Sequence, residues 1–254
     1  MFRTQQGSLW DMTGRARVIS LIGAGGKTTS LECLAKEISG SGEPVLLTTT
    51  TKVYPLDGLA SWLSLAASPP ADCSYPCFWY AADDLKDGKW IGLSTETVDR
   101  EIAAQQARNS VTRKWVIEGD GARGHKLKCW ADYEPQIPLS SDCVVLILDS
   151  GLWGKTLNSG DVHRHECCAD LIGRVWGEQT FQNYLEHSPA FDLKYRHMSW
   201  VILFNENSSH SSSGNSISLE KLVNRDYRED SRPSHLRIAG GDLKSGKLRW
   251  LDLW

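Results

Sequence analysis

The chain has 254 residues, of which 41% are hydrophobic and 23% are charged, and its formal net charge at pH 7 is −3. This length suits one α/β domain or two small ones, and either can bury a substantial core. The small negative charge gives no general attraction to nucleic acid or to an anionic membrane, so we expect neither as a partner. No apolar run approaches the ~20 residues that cross a bilayer, and residues 1–6 lack the apolar segment of a signal peptide. We therefore expect a cytoplasmic protein.

The seven cysteines are an odd number without the spacing of a disulfide framework or of a paired Cys-x-x-Cys zinc site. We therefore expect them to be reduced. Four of them lie in apolar or helical stretches and are interpreted as small buried thiols, namely Cys33, Cys143, Cys167 and Cys168.

The most informative segment joins an apolar strand at 18–22 to a helical pattern at 30–38 through the sequence Gly-Ala-Gly-Gly-Lys-Thr-Thr. Glycines at such a turn let backbone N–H groups and the positive end of a helix dipole approach an anion. We interpret the segment as a phosphate-binding loop, with Lys27 reaching the β- and γ-phosphates of ATP and the Thr28 hydroxyl holding Mg²⁺. The residues expected to contact the nucleotide are Gly23, Ala24, Gly25, Gly26, Lys27, Thr28 and Thr29.

This loop is shorter than the usual P-loop, because Leu21 occupies the position of the first glycine. Its form, Gly-x-x-Gly-Lys-Thr-Thr, resembles the ATP-binding loop of the Mur-type peptide ligases. In the alternative interpretation the glycines form only a strand-to-helix turn, and Lys27 is a solvated lysine in the first helical turn.

A second strand at 44–49 runs into four threonines and a lysine at 48–52. Ligands of an open parallel sheet collect beyond the carboxyl ends of its strands, so we expect Thr50 and Lys52 to contact phosphate, magnesium or substrate. Alternatively, the first two threonines only extend the strand. Residues 56–93 interrupt the regular pattern with a strand at 77–80 and a hairpin at 87–89. We interpret them as an irregular insertion or crossover within the same domain.

An acidic loop, Glu-Gly-Asp-Gly-Ala-Arg, follows a predicted strand at 114–118. A carboxylate at the end of an apolar strand is where a P-loop enzyme binds Mg²⁺ or orients the nucleophile. Glu118 and Asp120 are therefore predicted to join Thr28 as metal ligands, and Arg123, Lys126 and Lys128 are predicted to balance phosphate charge. Alternatively, Asp120 and the glycine after it form only a turn.

The remaining pattern predicts strands at 143–148, 200–204 and 236–240, and helices at 95–108, 161–176 and 219–226. A Ser/Asn-rich stretch at 205–218 is predicted to be a flexible loop. Strands that alternate with helices predict one α/β domain over residues 1–254 with a three-layer, P-loop NTPase-like fold and a mainly parallel sheet. His163 and Glu166 fall on one face of the predicted 161–176 helix, a spacing that suits a metal or an acid/base pair but is also common on exposed helices.

Five motifs occur in order between residues 23 and 166: Gly-Ala-Gly-Gly-Lys-Thr-Thr, Leu-Leu-Thr-Thr-Thr-Thr-Lys, Glu-Gly-Asp-Gly-Ala-Arg, Glu-Pro-Gln-Ile-Pro and Val-His-Arg-His-Glu. This ordered set resembles the YqeC family, accessory proteins for selenium-dependent molybdenum hydroxylases. The resemblance implies a nucleotide site that acts in cofactor maturation. It points to Gly23, Gly25, Gly26, Lys27, Thr28, Thr50, Lys52, Glu118, Asp120, Arg123, Glu134, His163, Arg164 and Glu166.

The chain departs from the family pattern at two positions. Tyr133 stands where the resemblance leads us to expect histidine, which argues against acid/base chemistry there, and His165 replaces an expected proline. The segment Phe-Asn-Glu-Asn at 204–207 shares only Asn205 with the guanine-reading motif Asn-Lys-x-Asp, so guanine selectivity is not predicted.

These patterns together predict a Mg-ATP-dependent protein that transfers the γ-phosphoryl group or hydrolyses ATP. By resemblance, the acceptor is a selenium species or a molybdopterin-type cofactor, and the protein partner is an apo-hydroxylase. Two alternatives remain open, an ATP-gated chaperone or delivery protein and a Mur-like ATP-dependent ligase. The predicted catalytic residues are Lys27, Glu118, Asp120, Arg123, His163 and Glu166.

Overall fold

The computed structural model describes residues 3–70, 73–107, 113–206, 217–222 and 232–254. Its strands are β1 (Gln5–Gly7), β2 (Val18–Gly23), β3 (Val45–Thr49), β4 (Lys52–Val53), β5 (Ala60–Leu63), β6 (Cys77–Tyr80), β7 (Ala82–Asp84), β8 (Lys89–Ile91), β9 (Lys114–Glu118), β10 (Leu127–Lys128), β11 (Cys143–Asp149), β12 (Val162–His163), β13 (Ser199–Asn205), β14 (His235–Asp242) and β15 (Lys247–Asp252). Its α-helices are α1 (Leu9–Met12), α2 (Lys27–Gly40), α3 (Thr95–Ala107) and α4 (Glu178–Glu186). Short 3₁₀ segments occupy Ser150–Leu152, His165–Leu171, Pro189–Phe191, Leu193–Tyr195 and Leu219–Leu222.

Ten of these strands form one sheet, in the order β1-β15-β14-β13-β11-β2-β9-β3-β6-β5. The eight strands from β14 to β5 run parallel, and β15 pairs antiparallel with both β14 and β1. The central strands β2 and β11 are buried at every residue, as their continuous apolar runs predict for strands that are covered on both faces. The predicted mixed α/β class and the mainly parallel sheet are therefore confirmed.

Apolar side chains cover both faces of this sheet. On one face, Leu31, Leu34 and Ile38 of α2 pack against alternate residues of the central strands. On the other face, Ile102 of α3 and Phe181 of α4 belong to two further buried clusters. Within the described ranges, no helix combines the length and apolar character needed to cross a bilayer.

Residues 56–93 contribute to two sheets. The strands β5 and β6 extend the main sheet in parallel, and β7 and β8 form a hairpin that pairs with β4. The hairpin predicted at 87–89 is confirmed, with Gly88 at a φ of 63° in the turn. The strands predicted elsewhere in the chain are also present.

The helix predicted over 161–176 is wrong. This stretch contains β12, then Arg164 in the left-handed conformation with a φ of 57°, and then the 3₁₀ segment His165–Leu171. A left-handed residue ends regular helix geometry, and β12 instead pairs with β10. The helix in this part of the chain is α4, which the sequence analysis missed. Residues 207–216 of the predicted flexible loop and residues 223–226 of the predicted helix lie outside the described residues.

The expectation of reduced, buried thiols also requires correction. Cys129 and Cys168 form a disulfide, and Cys167 is exposed. Cys129 directly follows β10 and Cys168 lies five residues after β12, so the parallel pairing of these strands brings together cysteines that are 39 residues apart. No spacing rule within the sequence predicts that pairing.

Candidate active site

The candidate site lies where the connections of the sheet change direction. β2 sits between β9 and β11; the chain leaves β2 towards β3 on one side, whereas β11 leads to β13 on the other. Ligands of open α/β sheets bind at such a switch point, beyond the carboxyl ends of the strands. The glycine loop, residues 23–26, occupies this position between β2 and α2.

The glycine loop requires glycine for its backbone conformation and for its packing. Gly23, Gly25 and Gly26 have φ values of 94°, 83° and 148°, where a Cβ atom is strained. A Cβ on Gly25 would lie 2.7 Å from the Cβ of Asp149, and one on Gly23 would overlap the carbonyl oxygen of Ile147. The loop is therefore pressed against the end of β11.

Two hydrogen bonds hold this loop to the neighbouring strands. The Ala24 N–H donates to the carbonyl of Ile147 at 2.9 Å, and the Asn205 side chain donates from Nδ2 to the carbonyl of Gly25 at 2.7 Å. Asn205 ends β13 and is only 2% exposed. The sequence analysis considered it only as a remnant of a guanine motif, although a polar residue at the end of an apolar strand was the available signal.

Lys27 is the first residue of α2 and is buried at the site, with 7% exposure. Its Nζ atom donates to the carbonyl of Gly23 and lies 3.2 Å from Oδ1 of Asp120. The N-cap, Gly26, provides no side-chain acceptor for the first-turn N–H groups, which are the groups that bind anions at helix N-termini. Thr28 is exposed and Thr29 is half-buried in the same turn.

Asp120 is fully buried, and its two oxygens are already occupied by donors. They accept from the Gly23 N–H at 3.0 and 3.2 Å, and Oδ2 also accepts from Nε1 of Trp130 at 2.8 Å. Lys27 supplies the nearest positive charge. In this arrangement Asp120 holds the start of the glycine loop and the lysine in place.

Glu118 is also buried, but unlike Asp120 it has an oxygen that accepts no hydrogen bond from the described residues. It points to the same face as Val116, below the N-terminus of α2, because side chains two residues apart in a strand share a face. It is 6% exposed, and its Oε2 atom has no hydrogen-bond partner in the part of the chain that the structure describes. Burial raises the pKa of Glu118 to about 7; the charge of Lys27 opposes this increase and that of Asp120 adds to it.

A cluster of charged side chains continues from Asp120 to the protein surface. Lys128 is fully buried and donates to the Gly121 carbonyl at 2.6 Å and to Oε1 of Glu134 at 3.0 Å. Arg164 pairs with Oε2 of the same glutamate and donates to the Tyr133 hydroxyl. Burial alone would raise the pKa of Glu134, but its bonds to Lys128 and Arg164 lower it below the ordinary value.

The structure separates His163 from Glu166. His163 is half-buried in β12, and its ring centroid lies 5.3 Å from that of His125. Burial, followed by the charge of Lys128, lowers the pKa of His163 to about 4, so its ring is neutral at pH 7. Glu166 is 61% exposed and lies 3.7 Å from His165. The two residues do not share a helical face, since Arg164 between them is left-handed.

The other predicted site residues, Thr50, Lys52 and Arg123, form no hydrogen bond or ion pair with the glycine loop among the described residues. Thr50 flanks the acidic loop, donating its N–H to the Glu118 carbonyl at 3.0 Å and its hydroxyl to the Gln136 carbonyl at 2.6 Å. Lys52 is half-exposed in β4, which belongs to the three-stranded sheet of β4, β8 and β7, and it pairs with Asp84 at 2.6 Å. Arg123 is exposed and left-handed, with a φ of 49°.

Comparison with known proteins assigns these features to a family. A family model described as "YqeC protein" matches residues 19–166, which include the glycine loop, the acidic loop and His163. The chain belongs to the YqeC family. It is 34% identical over 165 residues to a protein of Escherichia coli (strain K12) described as "Uncharacterized protein YqeC". This match covers 63% of the present chain and 62% of the relative, so the chain spans less than two thirds of that relative's length. No solved structure matches the chain.

The YqeC match ends before part of the site. Asn205, which holds Gly25, lies beyond residue 166, whereas both acids and Lys128 lie inside the matched region. Within the described ranges, no group of three or more His, Cys, Asp or Glu side chains is arranged to hold a metal ion. A magnesium ion at this site would therefore need ligands beyond such side chains, as it has when it is bound through substrate phosphates.

Proposed function

We propose that this YqeC-family protein binds Mg-ATP at the glycine loop and transfers or hydrolyses its γ-phosphoryl group. The observation that carries the proposal is the arrangement around Lys27: a glycine loop, an uncapped helix N-terminus and a buried lysine meet two buried acids. One acid, Asp120, is fully bonded, and the other, Glu118, has an oxygen without a partner. Such sites bind phosphate and act on it through positioning and electrostatics.

The phosphates would contact the first-turn N–H groups of α2, and Lys27 would turn from Asp120 towards the terminal phosphate. The lysine is already on the correct side of the glycine loop, since it bonds to the Gly23 carbonyl. Charge-assisted hydrogen bonds of this kind are stronger than neutral ones. The role of Asp120 would then be to hold Lys27 ready and to keep Gly23 in position.

Glu118 and Thr28 fit the requirements for holding Mg²⁺. A buried carboxylate oxygen without a donor is suited to a cation, and the Thr28 hydroxyl is in the helical turn where the phosphates would bind. Magnesium would neutralise charge that develops on the phosphates. Without the ion, the pKa of Glu118 near 7 suits a group that accepts a proton from an attacking hydroxyl.

An open surface cavity of about 670 Å³ lies near the same edge of the sheet, and we propose it as the place of the nucleoside. Glu206, Gly241 and Asp242 line it at the carboxyl ends of β13 and β14. Asn205, the residue before Glu206, bonds to the glycine loop, whereas the cavity itself is lined by β14, β15 and the end of β1 and not by the glycine loop. Its volume lies in the range of small-molecule pockets.

The acceptor and the biological setting extend the proposal. The acceptor would lie against the segments Thr50–Lys52 and His163–Glu166, where the neutral His163 ring offers a hydrogen-bonding group. We place the reaction in the maturation of a selenium-dependent molybdenum hydroxylase, with a selenium species or a molybdopterin-type cofactor as acceptor and the apo-hydroxylase as partner. This setting rests on the family resemblance.

Calorimetry with Mg-ATP tests the site, and Lys27→Ala should weaken binding by about tenfold or more because it removes a charge that is directed at the terminal phosphates. Lys36→Ala is the matched control, since Lys36 is exposed on the same helix. Equal affinities for Lys27→Ala and the wild type would contradict the assignment.

Product analysis then separates the candidate activities. Release of ADP and phosphate, or transfer of phosphate to a small molecule, supports the proposed phosphoryl transfer. An ATPase that only an apo-hydroxylase stimulates would favour the ATP-gated chaperone. Release of ADP that depends on a carboxylic acid would favour the Mur-like ligase.

A further inference from the structure

Five charged side chains of alternating sign connect the glycine loop to the surface. Lys27 pairs with Asp120 at 3.2 Å, and Lys128 lies 3.8 Å from the other oxygen of Asp120. Lys128 also lies 3.0 Å from Glu134, which pairs with Arg164. The middle of this series is the least exposed part, because Asp120 and Lys128 are both fully buried.

Lys128 therefore lies near two acids and forms a hydrogen bond with only one of them, Glu134. Its 3.0 Å distance to Glu134 is a hydrogen bond, whereas its 3.8 Å distance to Asp120 is too long for one. Asp120 takes its closest positive charge from Lys27 instead. A buried carboxylate that loses its partner cation is costly to the fold.

We propose that Lys128 is a positioning residue that moves from Glu134 towards Asp120 when a phosphate draws Lys27 away. This inference rests on the proposed function, since it requires a phosphate at the glycine loop. The movement replaces the charge that Asp120 loses, and it leaves Glu134 held mainly by Arg164.

The proposed movement of Lys128 also affects Tyr133 at the protein surface. Arg164 donates to both Glu134 and the Tyr133 hydroxyl, and Tyr133 is 63% exposed. When Glu134 loses Lys128, Arg164 is drawn more strongly to Glu134 and its bond to Tyr133 changes. Occupancy of the glycine loop is thereby coupled to the surface around Tyr133, and the coupling is reciprocal.

The proposal predicts opposite effects of two substitutions on Mg-ATP affinity. Lys128→Met leaves Lys27 as the only lysine beside Asp120, so the dissociation constant should rise by at least about fivefold. Glu134→Gln removes the negative charge that competes with Asp120 for Lys128, so the dissociation constant should fall by about two- to fivefold. Calorimetry measures both, and a purely structural role for the cluster would weaken binding in both variants.

A second measurement needs no nucleotide. Lys27→Met imitates the withdrawal of Lys27, so in that background Lys128 should already have left Glu134. Adding Glu134→Gln to Lys27→Met should then cost much less stability than Glu134→Gln alone. The deviation from additivity in the unfolding equilibrium constant should be about fivefold or more, compared with about twofold for independent sites.

Asp252→Asn is the control for this cycle. Asp252 also pairs with an arginine, Arg237, but lies in β15, beside the edge strand β1 of the main sheet. Its combination with Lys27→Met should be additive.

Affinity changes of opposite sign together with non-additivity would support the proposal. Weaker or unchanged binding in both variants, or an additive cycle, would overturn it. If Lys128→Met does not fold, the tighter binding expected of Glu134→Gln and the cycle decide the question. If even the wild type binds no nucleotide, the proposed function fails, and the stability cycle alone decides whether the side chains are coupled.

Discussion

The glycine loop and the charged cluster around Lys128, formed with Asp120, Glu134 and Arg164, contribute to the same site in different ways. The loop is held by backbone conformation, because three positive φ values and close contacts with β11 leave no room for a Cβ atom. The cluster is held by side-chain charges from the acidic loop, from β10 and from the segment after β12. The addition of one carbon should therefore damage the loop, whereas the cluster should respond to the loss of one charge.

The largest expected effect is that of Gly23→Ala. The new methyl group would overlap the Ile147 carbonyl, and the backbone would stay in an unfavourable conformation. We expect a loss of about 4 kcal/mol or more in the free energy of unfolding, or failure to fold. Gly121→Ala is the control, because a Cβ there meets no atom within 4 Å. Equal urea midpoints for the two variants would show that the loop is not tightly packed.

Asp120→Asn tests the cluster by removing its central negative charge. Lys27 and the buried Lys128 would both lose this acid, while the shape of the side chain is preserved. We expect a loss of about 3 kcal/mol in the free energy of unfolding, because one partner of a buried ionic group is removed. Denaturant unfolding at pH 7 provides the measurement. A loss below about 1 kcal/mol would indicate that the cluster carries little electrostatic energy.

Glu118→Gln should increase the free energy of unfolding at pH 8, whereas the two previous substitutions lower it. The folded pKa of Glu118, about 7, lies above the unfolded value, so the folded state binds the extra proton and wild-type stability falls as the pH rises from about 4.5 to 7. The glutamine variant has no such loss and should be more stable by about 3 kcal/mol at pH 8, with no advantage at pH 4. Unfolding curves across this pH range decide the matter. Parallel curves for the two proteins would mean that Glu118 has an ordinary pKa.

The smallest effects concern His163 and Glu166. Because burial and neighbouring positive charges lower the pKa of His163 to about 4, an NMR titration should show a neutral ring down to about pH 5.

Glu166→Ala should change the free energy of unfolding by less than about 0.5 kcal/mol, since Glu166 is an exposed residue. A His163 midpoint near pH 6.5, or a large loss in Glu166→Ala, would restore the idea that the two form a unit.

The sequence predicted seven of the ten strands of the main sheet and the strand-to-helix turn at the glycine loop, because each depends on local properties. Largely apolar runs of five and six residues mark β2 and β11, and Gly23, Gly25 and Lys27 mark the strand-to-helix turn. The position of the acids after β9 followed from the general rule for parallel sheets.

Features that depend on distant residues could not be predicted in this way. The pairing of Asn205 with Gly25 and the Cys129–Cys168 disulfide arise from the arrangement of strands. The 161–176 helix was predicted from an apolar period, but the pairing of β12 with β10 takes precedence over that local preference. The different environments of Glu118 and Asp120 also depend on burial and partners, which a single sequence does not reveal.

The bond between Asn205 and Gly25 has a consequence for the timing of synthesis. The two residues are 180 positions apart, and Leu243, which would meet any side chain at Gly26, comes later still. At ~5–20 residues per second, about 10 to 40 s separate the translation of Gly25 from that of Asn205. A nascent chain on the ribosome therefore carries the glycine loop long before it can hold that loop in shape, and the loop should reach its folded conformation only after β13 has been made.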